Sequence, residues 1–114
     1  MISKHAANLA LNTLLSEAYI GLHKEDGNEV GTSSYTRKRI FFKAAENGES
    51  ANIGTVDFGI AAEDWGIISE IGLYDNSGNL LISKELDYKK EVRMTDNYIV
   101  NPTSVVINFK NLVN

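Results

Sequence analysis

The sequence predicts a mainly β protein: an N-terminal α-helix followed by an antiparallel β-sandwich of about seven to eight short strands. Three observations point there. Alanine and leucine recur at helical spacing in the first 17 residues and nowhere else. Beyond position 18, apolar residues alternate in short runs broken by Gly, Asn, Asp and Ser. Hydrophobic residues make up 43% of the 114, enough to fill one core with no Cys to cross-link it.

The helix is expected over about residues 3–17. Ser3 supplies a cap, and Ala6, Ala7, Ala10, Leu11, Leu14 and Ala18 form a stripe with Leu9 and Leu15 beside it. Neither Gly nor Pro occurs before Gly21. An apolar stripe needs a surface to cover it, either the protein's own β part or a neighbouring subunit. Tyr19–His23 then alternates as a strand with Ile20 and Leu22 on one face. Residues 25–34 have almost nothing to bury and read as a loop, residues 35–43 as one long strand, and residues 45–54 as a second loop. In residues 55–60, Val56, Phe58 and Ile60 share a side.

Residues 66–74 place Ile67, Ile71 and Leu73 together, and the turn residues 75–79 lead into Leu80–Ser83 as a hairpin. Lys89–Arg93, Tyr98–Val100 and Ser104–Phe109 supply three more strands; Val105, Ile107 and Phe109 face inward, Asn108 and Lys110 outward. Pro102 falls between two of them, where its missing donor does least harm. No repeat or linker composition divides the sequence, so residues 1–114 read as one domain, helix 1–17 and sandwich 18–114.

Composition excludes several functions. Eleven Lys+Arg against 15 Asp+Glu give a net charge of −4, the wrong sign for a nucleic-acid binder. No apolar run approaches the roughly 18 residues of a membrane span. The N-terminal stretch, interrupted by Asn8, Asn12 and Thr13, makes a poor secretion signal, so a soluble protein made inside the cell is expected.

Reactive constellations are equally sparse. His5 and His23 are the two imidazoles, no G-x-S-x-G surrounds a serine, and His23 is expected at a surface or rim. Asp26-Gly27-Asn28-Glu29 offers oxygens for calcium, yet Gly27 and Glu29 miss the spacing of a calcium loop, and a solvated turn fits better. Glu63, Asp64 and Asp57 read as surface acids, not a glycosidase pair. In Arg37-Lys38-Arg39 the two arginines share one face of a strand, which suits a solvated face, a protein interface or, least well, a phosphate backbone. Gly21, Gly66 and Gly72 interrupt strand patterns, where a missing side chain lets a bulky neighbour approach. Trp65 fits a core anchor at one end of the sandwich or an interface aromatic, and Tyr35 and Tyr74 divide the same way.

Tyr19-Ile20-Gly21-Leu22-His23, the segment Asn28-Glu29-Val30-Gly31 through Ser34-Tyr35-Thr36-Arg37, Asp64-Trp65-Gly66 through Gly72-Leu73-Tyr74-Asp75, and Gly78-Asn79-Leu80-Leu81 follow one another in order. Together they resemble a family of short tailed-bacteriophage virion proteins labelled tail-fibre, head-fibre or minor structural proteins. Members open with a Leu/Ala-rich helix, followed by "N-E-V-x-G-x-x-Y-x-R", "W-G-x-I/V-x-x-x-G-I/L-Y/F-D" and "G-N-L-L" segments. The likeness covers about Leu9 to Phe109. The sequence departs from it in Arg37-Lys38-Arg39 and in the heavily charged Asp87–Arg93 stretch.

The resemblance implies a non-enzymatic virion structural protein: a head decoration, a fibre or spike base, or a tail-associated part. It implies capsid, collar or tail proteins as partners and a homo-oligomer, a trimer foremost. It brings no catalytic residues; the residues themselves give no metal or cofactor site and no cofactor, and composition speaks against nucleic acid and membrane. Ala7, Leu11 and Leu14 of the helix and Arg37 and Arg39 are the candidate assembly interface. The competing reading is a carbohydrate-binding β-sandwich contacting the host surface, with Trp65, Tyr74, Tyr88 and Tyr98 as candidate platform aromatics.

Overall fold

The computed structural model of the protein describes residues 2–109. One helix, α1 (Lys4–Leu15), precedes nine strands: β1 (Tyr19–Lys24), β2 (Lys38–Arg39), β3 (Phe41–Phe42), β4 (Glu49–Ile53), β5 (Val56–Ile60), β6 (Gly66–Tyr74), β7 (Leu80–Val92), β8 (Asn97–Val100) and β9 (Val106–Asn108). They form antiparallel sheets in the orders β2-β1-β6-β7, β3-β4-β9 and β5-β8, a sandwich-like arrangement of open sheets. No helix among the described residues is long and apolar enough to cross a membrane.

The helix begins where the sequence places it. Ser3 Oγ accepts a hydrogen bond from the Ala6 N–H at 3.1 Å and so satisfies one of the unpaired first-turn donors. Ala7, Leu11 and Leu15 are buried against the protein's own β layers, while Ala6, Ala10 and Leu14 keep partial exposure. Asn8 and Asn12, one turn apart on an adjoining face, accept from the Gly48 and Ala45 N–H groups at 2.8 and 2.9 Å. At the other end, the Arg39 guanidinium donates to the carbonyls of the C-cap residue Ser16 and of Ala18 just beyond it, at 3.0 Å each.

Ile20, Leu22, Ile68, Ile71 and Leu73 of the large sheet meet Val56, Phe58, Val100, Val105 and Ile107 across one core. Each such side chain contributes roughly 1.5–3 kcal/mol when fully buried. Where the sequence suggests one strand over 35–43, the backbone instead serves two sheets in succession. Lys38 and Arg39 pair with β1, Phe41 and Phe42 pair with β4, and the fully buried Ile40 between them is the corner. Its N–H donates to the Ala18 carbonyl at 3.1 Å.

The expected loop over 45–54 contains β4. A two-residue turn, Asn47–Gly48, has both φ angles positive (53° and 74°) and joins Glu46 to Glu49 by two backbone hydrogen bonds. The inward positions of β4 include Ser50 and Asn52, polar yet fully buried and fully partnered. Ser50 Oγ donates to the Lys43 carbonyl; Asn52 donates to the Asn101 carbonyl and accepts from the Val105 N–H, holding the β8–β9 connection in place.

Two bulges shift other expectations. An irregularity between Asp57 and Ile60 turns Ile60 outward, 68% exposed, away from Val56 and Phe58. A second, between Ile68 and Glu70, makes Ile68 and not Ile67 the buried partner of Ile71 and Leu73. Opposite it, β7 runs through both expected strands; Glu85 pairs with Glu70 and Lys90 with Ile68, so residues 86–89 arch off the ladder. Val105 and Ile107 face inward, Phe109 packs against the core, and Asn108 is exposed. Lys110 lies outside the described residues.

Candidate functional site

The motif residues converge on the outer face of the large sheet. There, Gly21 of β1 lies directly opposite Gly72 of β6. A Cβ on Gly21 would come within 2.9 Å of Glu29 Oε2, the Tyr35 hydroxyl and the Tyr74 ring; one on Gly72 would meet His23 and the same ring as closely. The glycine pair is therefore a trough, and the Tyr74 ring lies in it.

Residues 25–37 fold back over that trough. The Lys24–Asn28 turn brings Glu29 beside His23 on the edge of β1, and the Val30 N–H donates to the Leu22 carbonyl at 3.0 Å. Arg37 grips Glu29 bidentately, Nε to Oε2 at 2.9 Å and a terminal nitrogen to Oε1 at 2.8 Å. Its guanidinium also lies 3.5 Å above the Tyr74 ring centre. The Tyr35 hydroxyl donates to Glu29 at 2.5 Å and accepts the Leu22 N–H at 2.9 Å, where the ladder of β1 has a gap. From that gap the Tyr35 ring descends into the core, stacked on Phe58 and edge-on to Trp65. Trp65 is buried as a core anchor, its indole N–H donating to Ser34 Oγ at 2.9 Å.

His23 departs from expectation: it is buried beneath this segment, 7% exposed, and not at a rim. Its Nδ1 is 3.1 Å from Glu70 Oε1 and its Nε2 is 2.6 Å from the Tyr74 hydroxyl. The missing side chain of Gly72 makes room for the His23 ring, and that of Gly21 for the Tyr35 hydroxyl and Glu29. A carboxylate, imidazole and phenol stand in line here, with both imidazole nitrogens engaged, one by Glu70 and one by Tyr74. Burial, with the Glu29 charge nearby, holds the Tyr74 hydroxyl above its usual acidity range, and burial with the Glu29 hydrogen bond does the same to Tyr35. Burial alone would raise Glu29, yet the hydrogen bonds from Arg37 and Tyr35 outweigh it and hold this carboxyl below its ordinary value.

The other candidate acids cap backbone. Asp26 accepts from the Asn28 N–H, Asp57 from Gly59 N–H and Asn97, Glu63 from the Ser34 N–H and Asp64 from the Met94 N–H. Of the proposed interface residues, Ala7 and Leu11 have no exposed surface, Leu14 is half-buried, and Arg37 and Arg39 keep partial exposure while bonded internally. Of the aromatic candidates, Trp65, Tyr74 and Tyr98 are buried, leaving Tyr88, 86% exposed on the arched part of β7, as the one open ring of the four. Tyr88 borders a groove of about 420 Å³ floored by Ile71, Leu86, Tyr98 and Val105. Its lysines are already engaged: Lys84 donates to the Val106 carbonyl, Lys89 to Glu25, and Lys90 lies over Tyr98.

The sequence motifs set Glu29, Tyr35 and Arg37 in one segment and Tyr74 in another, but did not show that they touch one another, His23 or Glu70. The signal that could have done so was the glycine pair, since two strand glycines in register leave a space that long side chains from elsewhere fill. A family model described as Gp80, podophage GP4 fiber I protein gp80, matches residues 2–108. No curated protein matches the sequence.

Proposed function

The chain belongs to the podophage GP4 fiber I protein family, and from that premise we propose that it is a non-enzymatic component of the phage particle, acting by protein–protein assembly. The observation behind this reading is the use made of the motif residues. Glu29, Tyr35, Arg37, His23 and Tyr74 spend their polar groups on one another and on the backbone of β1, fixing a loop to a sheet. Residues so engaged give shape and rigidity, which a fibre part needs, and leave no free acid, base or nucleophile among them.

Assembly is into a homo-oligomer, a trimer foremost, that joins capsid, collar or tail proteins of the virion after synthesis in the host cytoplasm. Leu14, Arg37 and Arg39 retain surface for such contacts, whereas Ala7 and Leu11 serve them only by seating α1. Two measurements test the proposal. Native mass spectrometry of the purified protein is expected to give a trimer, and antibody labelling of purified particles is expected to mark one fixed place on the virion. A monomer absent from particles overturns it.

A further inference from the structure

We propose that Asn47–Gly48, the tip of the turn between β3 and β4, is a deamidation site that α1 holds shut through Asn8. In this reaction the deprotonated backbone nitrogen of Gly48 attacks the amide carbon at the end of the Asn47 side group. A new bond between that nitrogen and that carbon closes a five-membered succinimide, and the bond from the same carbon to Nδ2 breaks, releasing ammonia. Water then opens the ring at either carbonyl, leaving aspartate or isoaspartate. The glycine nitrogen is the nucleophile, and a residue with no Cβ after the asparagine leaves its path unobstructed. This is the one Asn-Gly pair in the 114-residue sequence.

Asn47 is exposed, but the nucleophile is not free. The Gly48 N–H donates to Asn8 Oδ1 at 2.8 Å, and its carbonyl accepts from the Phe109 N–H at 2.7 Å. Two ladder bonds between Glu46 and Glu49, at 2.9 and 3.0 Å, fix the peptide planes on either side. Attack requires Gly48 to lose its proton and turn away from Asn8, so the bond from α1 is the latch. Asn8 is held there in turn by its buried neighbours Ala7 and Leu11. Undocking of the helix therefore opens the reaction, and the isoaspartate product, with an extra backbone atom in a two-residue turn, breaks the register of β3 with β4.

The test follows deamidation of the full-length protein in mildly alkaline buffer, by fragmentation of the tryptic peptide spanning residues 44–84 so that the change is assigned to Asn47. Asn8→Ala is expected to raise the rate about fivefold, the factor set by one neutral hydrogen bond of about 1 kcal/mol. Asn8→Asp keeps an acceptor oxygen in place and is expected to stay near the wild-type rate. Amide exchange at Gly48 is expected to be slow in the wild type and in Asn8→Asp, and fast in Asn8→Ala. Equal rates in folded wild type and Asn8→Ala overturn the proposal. Should Asn8→Ala not fold, rapid deamidation of Asn8→Asp or rapid Gly48 exchange in the wild type does so.

Discussion

Glu29 accepts three side-chain hydrogen bonds, two from Arg37 and one from Tyr35, and these govern how the fold meets acid. Its carboxyl is held below the ordinary 4.5 in the folded protein. A depressed carboxyl contributes stability that is complete above its unfolded value and fades as pH drops through the folded one. Glu29→Gln is therefore expected to be less stable than wild type at neutral pH, and the gap is expected to narrow steadily below about pH 4.5 in urea titrations. A gap independent of pH would show that the carboxylate charge is irrelevant. At this scale the sequence was legible in residue type and silent on partnership. Arg37 and Tyr35 stood out as charged and aromatic letters, but their common partner Glu29 lies across a turn whose course no periodicity records. His23 misled because its burial depends on the space left by Gly72, which lies on another strand far away in sequence.

The elements divide along the same physical line. Helix α1 was legible because its buried positions are apolar and regularly spaced, and its Ser3 cap holds as read. Strand β4 was not, because Ser50 and Asn52 occupy inward positions through hydrogen bonds and look like loop residues in a hydrophobicity pattern. The Asn47–Gly48 turn was the overlooked sign. Bulges hide from alternation by their nature: one extra residue moved Ile60 to the outside. Burial also separates the two leucines of the helix stripe. Leu11→Ala is expected to cost about 2–5 kcal/mol in chemical denaturation, by emptying a filled site. Leu14→Ala, half-buried, is expected to cost less than about 1 kcal/mol. Equal losses would mean that α1 is seated differently.

For the molecule as a whole, about 45 × 24 × 22 Å, the mainly β reading with one leading helix stands. What the sequence could not convey is that three sheets share the strands. Protection against hydrogen exchange should map this: β1 and β6, bonded on both sides, are expected to exchange slowest, and the arch at 86–89 and the short β2 fastest. Slow exchange throughout β7 would contradict the arch.

The corner at Ile40 has a mechanical consequence. One continuous run forms the border of the large sheet and then of its neighbour, so the buried Ile40 is one of the links by which a pull on either layer reaches the other. Under tension the two layers are expected to give way together in one rupture.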